Sequence, residues 1–193
     1  MVHSPWTWSV LDLFLQMEQV ILVDIKDIAT GTMEKMEAHR KGVLHRAFSV
    51  FIFNAKGEML LQQRAAGKYH SGGLWTNSCC SHPRPGENTP DAAARRLKEE
   101  MGFETPLRKI FDFTYQASFD NGLTEHEFDH VFAGVYNGEI HPDHHEVSSY
   151  CWQPMRSLEN SVKKEPAKFT AWFLIAFPLI LNWWKDNTAI FIA

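Results

Sequence analysis

Residues Thr89 to Gly102 constrain the fold more than any other stretch of this chain. Thr89 as N-cap, Pro90 at the first helical position, Asp91 near the positive end and Gly102 just past the last turn predict a helix over 89–101. Sequence of strand character lies on both sides of it. Upstream, Gln19 to Ile25 is a β-rich apolar run closed by turn residues from Asp27 to Gly31, and Phe48 to Phe53 and Glu58 to Arg64 flank Asn54-Ala55-Lys56-Gly57 as a hairpin. Downstream, Ile110 to Ser118 and Glu125 to Tyr136 read as strands joined through Asn121-Gly122. Strands that precede and follow a helix without a strict βαβ rhythm predict an α/β protein of the α+β kind, a mixed sheet covered by helices.

Helical sequence dominates after Pro166. The apolar stretch Ala171 to Trp184 is too short to span a bilayer and is interrupted by Pro178 and Asn182, so a buried helix, kinked or ended near the proline, is expected. The chain has 193 residues, 45% hydrophobic and 13% aromatic, which suits one well-packed domain. Its net charge of -4 offers no general attraction to nucleic acid or to an anionic membrane, so an anionic ligand must be held by local cations. Three cysteines, two of them the neighbours Cys79 and Cys80, suggest no disulfide framework, and Met1 to Trp8 lacks the features of a secretory signal. A reducing, cytoplasmic setting is the expectation.

Several groups could carry chemistry. Cys80 and His82 stand two residues apart between turn-formers, a thiol and an imidazole in one loop. Glu125 and Glu127 share one face of a predicted strand, and two carboxylates that close raise one pKa or require a cation between them. His39 and His45 converge only if the chain bends, for which Lys41-Gly42 is suited. On the predicted helix, Arg95 and Arg96 precede Glu99 and Glu100 by one turn, a spacing equally suited to salt bridges or to Mg²⁺ ligation beside a phosphate group. Lys35, Arg64 and Lys68 add cations, each by itself compatible with an ordinary surface charge. The polar run His141-Pro142-Asp143-His144-His145-Glu146 reads as a surface connection, and Cys151 as a buried residue.

Taken together, the pieces resemble the type 1 isopentenyl-diphosphate isomerases of the Nudix superfamily. The resemblance is carried by Gly31 through Lys35 and Ala38-His39, Leu44 through Phe48, Leu74 through Ser78, Cys80-Ser81-His82-Pro83, Gly86-Glu87, Arg95-Arg96-Leu97 with Glu99 through Gly102, and Glu125-His126-Glu127. It runs in family order from about residue 19, which leaves residues 1–18 as an N-terminal extension and 19–193 as a single Nudix-type domain, a mixed sheet sandwiched between helices. Two positions depart from the Nudix box of the hydrolases: Ser81 replaces the first glycine, and Arg96 replaces a metal-binding glutamate.

The resemblance implies interconversion of isopentenyl and dimethylallyl diphosphate by adding one proton and removing another. It assigns proton handling to Cys80 and Glu127, with Tyr115 assisting Glu127 and Trp172 as the aromatic wall. It assigns a first divalent metal, Mn²⁺, Zn²⁺ or Fe²⁺, to His39, His45, His82, Glu125 and Glu127. A Mg²⁺ bound with the diphosphate falls to Glu100 and the Cys80 main chain, and the diphosphate itself to Lys35, Arg64, Lys68 and Arg96. The implied partner is a small isoprenoid diphosphate, with no nucleic acid, no membrane span, and a monomer or simple homodimer as the assembly. A diphosphate hydrolase and a catalytically silent Nudix-like module are the alternatives; the first has no need of Cys80, and the second predicts eroded motifs.

Overall fold

The computed structural model describes residues 18–188. Most of the expected N-terminal extension, and the last five residues, therefore lie outside the described residues. The chain runs β1 (Gln19–Val23), β2 (Ala29–Glu34), α1 (Lys35–Lys41), β3 (His45–Phe53), β4 (Glu58–Arg64), β5 (Trp75–Thr76), β6 (Cys79–Ser81) and α2 (Thr89–Met101). It continues through β7 (Arg108–Ser118), β8 (Thr124–Val135), β9 (Val147–Pro154), α3 (Met155–Lys164), a 3₁₀ turn (Pro166–Lys168) and α4 (Ala171–Asp186).

Strand β3 is the hub. Along one edge it pairs in parallel with β8, from His45 opposite Glu127 to Phe53 opposite Val135. Its other edge is divided among three strands: β1 at His45, β6 at Phe48 to Val50, and β4 at Phe53. The parallel pairing inside an otherwise antiparallel sheet bears out the mixed sheet.

Side chains alternate across β3, as strand geometry requires. Phe48, Val50 and Ile52 join Ala92, Ala93, Leu97 and Met101 of α2 in one core, while Phe51 and Phe53 join Phe173, Ala176, Phe177 and Ile180 of α4 in the other. The sheet is thus sandwiched between helices. His45, Ala47 and Ser49 share the parity of Phe51, so the polar end of β3 opens toward the α4 side.

Helix α2 covers the predicted residues, with Asn88 rather than Thr89 as N-cap, a difference of one position at an end where the phase of the first turn decides. Gly102 adopts φ 76°, and a Cβ there would lie 2.1 Å from the His141 carbonyl oxygen, so only glycine fits.

Two expectations are corrected. The Asn54–Gly57 turn closes, but β3 and β4 pair only at Phe53 and Met59; β6 occupies the adjoining edge of β3, and β4 goes on to pair with β9 and β5. The first strand ends at Val23 because the Asp24 carboxylate accepts from the amides of Lys26 and Ile28, and Ala29 to Gly31 belong to a second strand rather than to the turn. The buried helix expected over the apolar stretch is α4, which continues through Pro178, so of the kink or end expected there the end is excluded. Before Pro166, β9 and α3 add a strand and a helix to the expected elements. No helix among the described residues is long and apolar enough to cross a membrane.

Candidate active site

The bend expected between His39 and His45 is real. Glu34 caps α1 by accepting from the amides of Met36 and Glu37, and Gly42 ends the helix in the left-handed conformation with φ 61°. The chain then reverses into β3, which brings the His39 and His45 ring centroids to 5.0 Å. β6, paired with the middle of β3, delivers His82 to the same place: its Nε2 is 3.2 Å from His45 Nε2 and 3.1 Å from Glu127 Oε1.

His39 Nδ1 lies 2.7 Å from the Lys35 carbonyl oxygen, and His45 Nδ1 2.7 Å from that of Val43. Each Nδ1–H therefore donates outward and leaves the Nε2 lone pair facing inward, as in a metal-ligating imidazole. His39, His45, His82 and Glu127 present donor atoms within 4.8 Å of one another, a group able to hold a metal ion. His39 Nε2 is buried without a hydrogen-bond partner, which fits a lone pair meant for a cation.

Strand pairing places Tyr115 opposite Glu127 and Ala117 opposite Glu125. The Tyr115 hydroxyl stands 2.7 Å from Glu127 Oε2 and 3.1 Å from Glu125 Oε2, sharing one proton between the two carboxylates. Burial and the Glu127 charge push Glu125 well above the usual carboxylate range. Burial acts on Glu127 too, but the His45 and His82 imidazoles beside it outweigh that effect and hold the group well below its usual value. Burial also pushes His39 down to about 4.

Alternation along β6 separates the two adjacent cysteines. Cys79 is 0% exposed in the α2 core, whereas Cys80 turns to the opposite face. Its Sγ is 3.0 Å from Asn77 Oδ1 and 3.3 Å from Ser49 Oγ, and Ser49 in turn donates to Asp129 Oδ2 at 2.7 Å. Asn77 is locked as the acceptor because its amide nitrogen donates to the carbonyls of Val50 and Cys79. Burial pushes the Cys80 thiol up, and burial with the Glu127 charge raises Asp129 to about 8.

Cys80, Tyr115, Glu125, Glu127 and Trp172 line a small inner recess of about 40 Å³. A wider open cleft of about 570 Å³ shares Arg64, Tyr69, Cys80, Ser81 and His82 with it and is lined further by Lys35, Lys68, Arg96 and Glu100. Of the site residues assigned from the sequence, all but the fully buried His39 and His45 line one or both of these hollows.

Lys35 pairs with Glu18, the last residue of the expected extension, and lies 5.2 Å above the Tyr69 ring. The Arg64 guanidinium sits 5.1 Å from the Trp172 ring, and Arg96 reaches Glu100 at 2.6 Å and Glu99 at 2.8 Å. Glu87 and Arg95 instead form a two-bonded pair at 2.7 and 2.8 Å that ties the α2 approach loop to the helix.

Four side chains that the structure places among these groups escaped the sequence reading. Glu146, within the run assigned to a surface connection, pairs with Lys68 and with Arg96 at 3.3 Å in the cleft, while His141, His144 and His145 of that run are exposed. Asp129 continues the two-residue alternation of Glu125 and Glu127, a signal present in the sequence. His70 and Tyr69 follow Lys68 directly in a glycine-rich loop, with no periodicity to mark them.

The mixed sheet between helices, with the glutamate-bearing α2 beside the cleft, is a Nudix-type fold. The NUDIX domain family model matches residues 43–173. A Deinococcus radiodurans crystal structure superposes with a TM-score of 0.65 at 18% identity over 77% of this chain and 90% of that one, and a MutT protein from Methanosarcina mazei gives 0.59 at 19% over 75% and 95%, which is likeness of fold. Pectobacterium atrosepticum isopentenyl-diphosphate Delta-isomerase is 51% identical over 173 residues, 89% of this chain and 96% of that protein. The Burkholderia multivorans isopentenyl-diphosphate Delta-isomerase is 52% identical over 156 residues, 81% of this chain and 89% of that one. The chain belongs to the isopentenyl-diphosphate Delta-isomerase family.

Proposed function

We propose that this enzyme interconverts isopentenyl and dimethylallyl diphosphate, with the alkene in the inner recess and the diphosphate in the cationic cleft. The observation that carries the reading is the shared recess: the Cys80 thiol and the Glu127–Tyr115 pair line it together, and it opens toward Lys35, Arg64, Lys68 and Arg96. Protonation of the terminal methylene puts positive charge on the tertiary carbon, and loss of a proton from the methylene on its other side completes the shift. Cys80 and Glu127 are the two proton-handling groups. Tyr115, bonded to Glu127, keeps its carboxylate oriented and serves as the next station for the proton.

Trp172 faces the transient cation with its ring and excludes water that would trap it. The four cations hold the diphosphate, and Arg96 at a position where hydrolases carry a glutamate favours holding it intact over cleaving it. His39, His45, His82, Glu125 and Glu127 would hold a first-row divalent ion, and Glu100 with the Cys80 main chain would hold Mg²⁺ beside the diphosphate. An ion held there would supply positive charge between the two buried carboxylates Glu125 and Glu127. Three free thiols suit a reducing cytoplasm.

Incubation with isopentenyl diphosphate and divalent metal is expected to yield dimethylallyl diphosphate without released phosphate. Cys80→Ala is expected to lower turnover by at least about a hundredfold, the scale of a lost acid-base group, with metal content and fold retained. Phosphate release without isomer would establish a hydrolase instead, and full turnover by Cys80→Ala would remove the thiol from the chemistry.

A further inference from the structure

We propose that His70 is a sixth protein donor to the metal centre, beside the three histidines and two glutamates already assigned. This inference rests on the metal reading above and extends it to a residue in the loop between β4 and β5.

His39, His70 and Glu125 form a second set of donor atoms within 4.8 Å of one another, and His39 belongs to both sets. His39 has only one nitrogen to offer, since its Nδ1 is engaged by the Lys35 carbonyl. One imidazole lone pair serves one ion, so the two sets describe the surroundings of a single site and not of two. Within each set, donor atoms up to 4.8 Å apart are close to the about 4.2 Å between opposite ligands of one octahedral ion that stands about 2.1 Å from each; the six donors are not all within 4.8 Å of one another, so binding one ion would draw the two sets together.

The His70 ring is held in one orientation. It stacks on Phe119 at 4.5 Å and 12°, meets Tyr69 edge-on at 4.3 Å, and meets Trp172 edge-on at 5.7 Å. Its Nδ1 faces the Ser71 hydroxyl at 3.2 Å, which leaves Nε2 directed toward Glu125, 3.3 Å from Oε1. That Nε2 is buried with no hydrogen-bond partner, in a residue only 7% exposed, as is Nε2 of the fully buried His39. Two unpartnered imidazole nitrogens beside a carboxylate pair are the arrangement a cation would complete. Four imidazoles and two carboxylates would offer an ion six N/O donors, a set suited to a first-row metal rather than to Mg²⁺.

The test uses the full-length chain loaded with Co²⁺, whose visible bands report coordination number and ligand type, with affinity measured by chelator competition. His70→Ala and His70→Gln are compared with wild type, the glutamine keeping bulk against Phe119 and Trp172. Both variants are expected to bind Co²⁺ about tenfold or more weakly and with altered visible bands. Unchanged bands overturn the proposal whether affinity is retained or reduced, reduced affinity with unchanged bands meaning that His70 only steadies Glu125. A wild-type chain that takes up no first-row ion overturns the metal centre itself, and the two failures are distinguished by the wild-type measurement.

Discussion

At the scale of single residues, the site is organised by hydrogen bonds that leave one useful atom free on each group. The outward Nδ1 contacts of His39 and His45 free their Nε2 atoms, and the two amide donations of Asn77 aim its oxygen at Cys80. Tyr115 is the clearest case, because its single proton is shared between two carboxylates at 2.7 and 3.1 Å. Tyr115→Phe removes a hydrogen bond to a charged acceptor, worth about 1.5–3 kcal/mol, so kcat is expected to fall about ten- to a hundredfold with KM and bound metal unchanged. Steady-state kinetics with metal analysis checks this, and a kcat within twofold of wild type would show that Glu127 works without the hydroxyl. These residues were legible to different degrees: the cysteine, the histidines of the bend and the paired glutamates stand in marked local patterns, whereas His70 becomes visible only where its loop folds against Phe119 and Glu125.

At the scale of elements, short connections position the chemistry. Gly42 turns α1 back into β3, and Gly102 ends α2 against the segment that carries Glu146. Gly102→Ala is expected to destabilise the fold by more than about 1 kcal/mol, since the new side chain meets a positive φ and also the His141 carbonyl. Denaturant unfolding measures it; an unchanged midpoint would mean that the 141–146 segment yields freely. Helix α2 could be read from its caps and composition because a helix is a local structure, its hydrogen bonds closing within four residues. The β3–β4 hairpin was read from the same kind of local signal and holds only at its turn, because β6 takes the edge of β3 that a hairpin partner would have used.

At the scale of the whole molecule, a buried acidic cluster is set into the seam between β3, β6 and β8, and it makes stability depend on pH. Asp129 is raised to about 8 from 3.8 by burial and by the Glu127 charge, so the folded chain keeps a proton that the unfolded chain releases above pH 3.8. Its contribution is fully present below that value and is lost as pH rises toward 8. Asp129→Asn keeps the acceptor for Ser49 and abolishes this loss. In chelator-treated protein the variant is therefore expected to gain stability over wild type as pH rises from about 4 to 8, by at most about 1.4 kcal/mol per pH unit. Urea unfolding of both proteins at pH 5 and pH 8 decides it, and a difference that does not grow with pH would contradict the raised value.

The sequence alone determined the kinds of element, the caps and turns that bound most of them, and the thiol, imidazoles, carboxylates and cations available for chemistry. Those properties follow from local sterics, side-chain spacing and the intrinsic chemistry of each residue. Only the tertiary structure decided that three strands divide one edge of β3, that Cys80 and Cys79 part to opposite faces, and that His70 and Glu146 join the site. Long-range pairing depends on which surfaces the whole chain can bury together, and no local stretch of sequence contains that information.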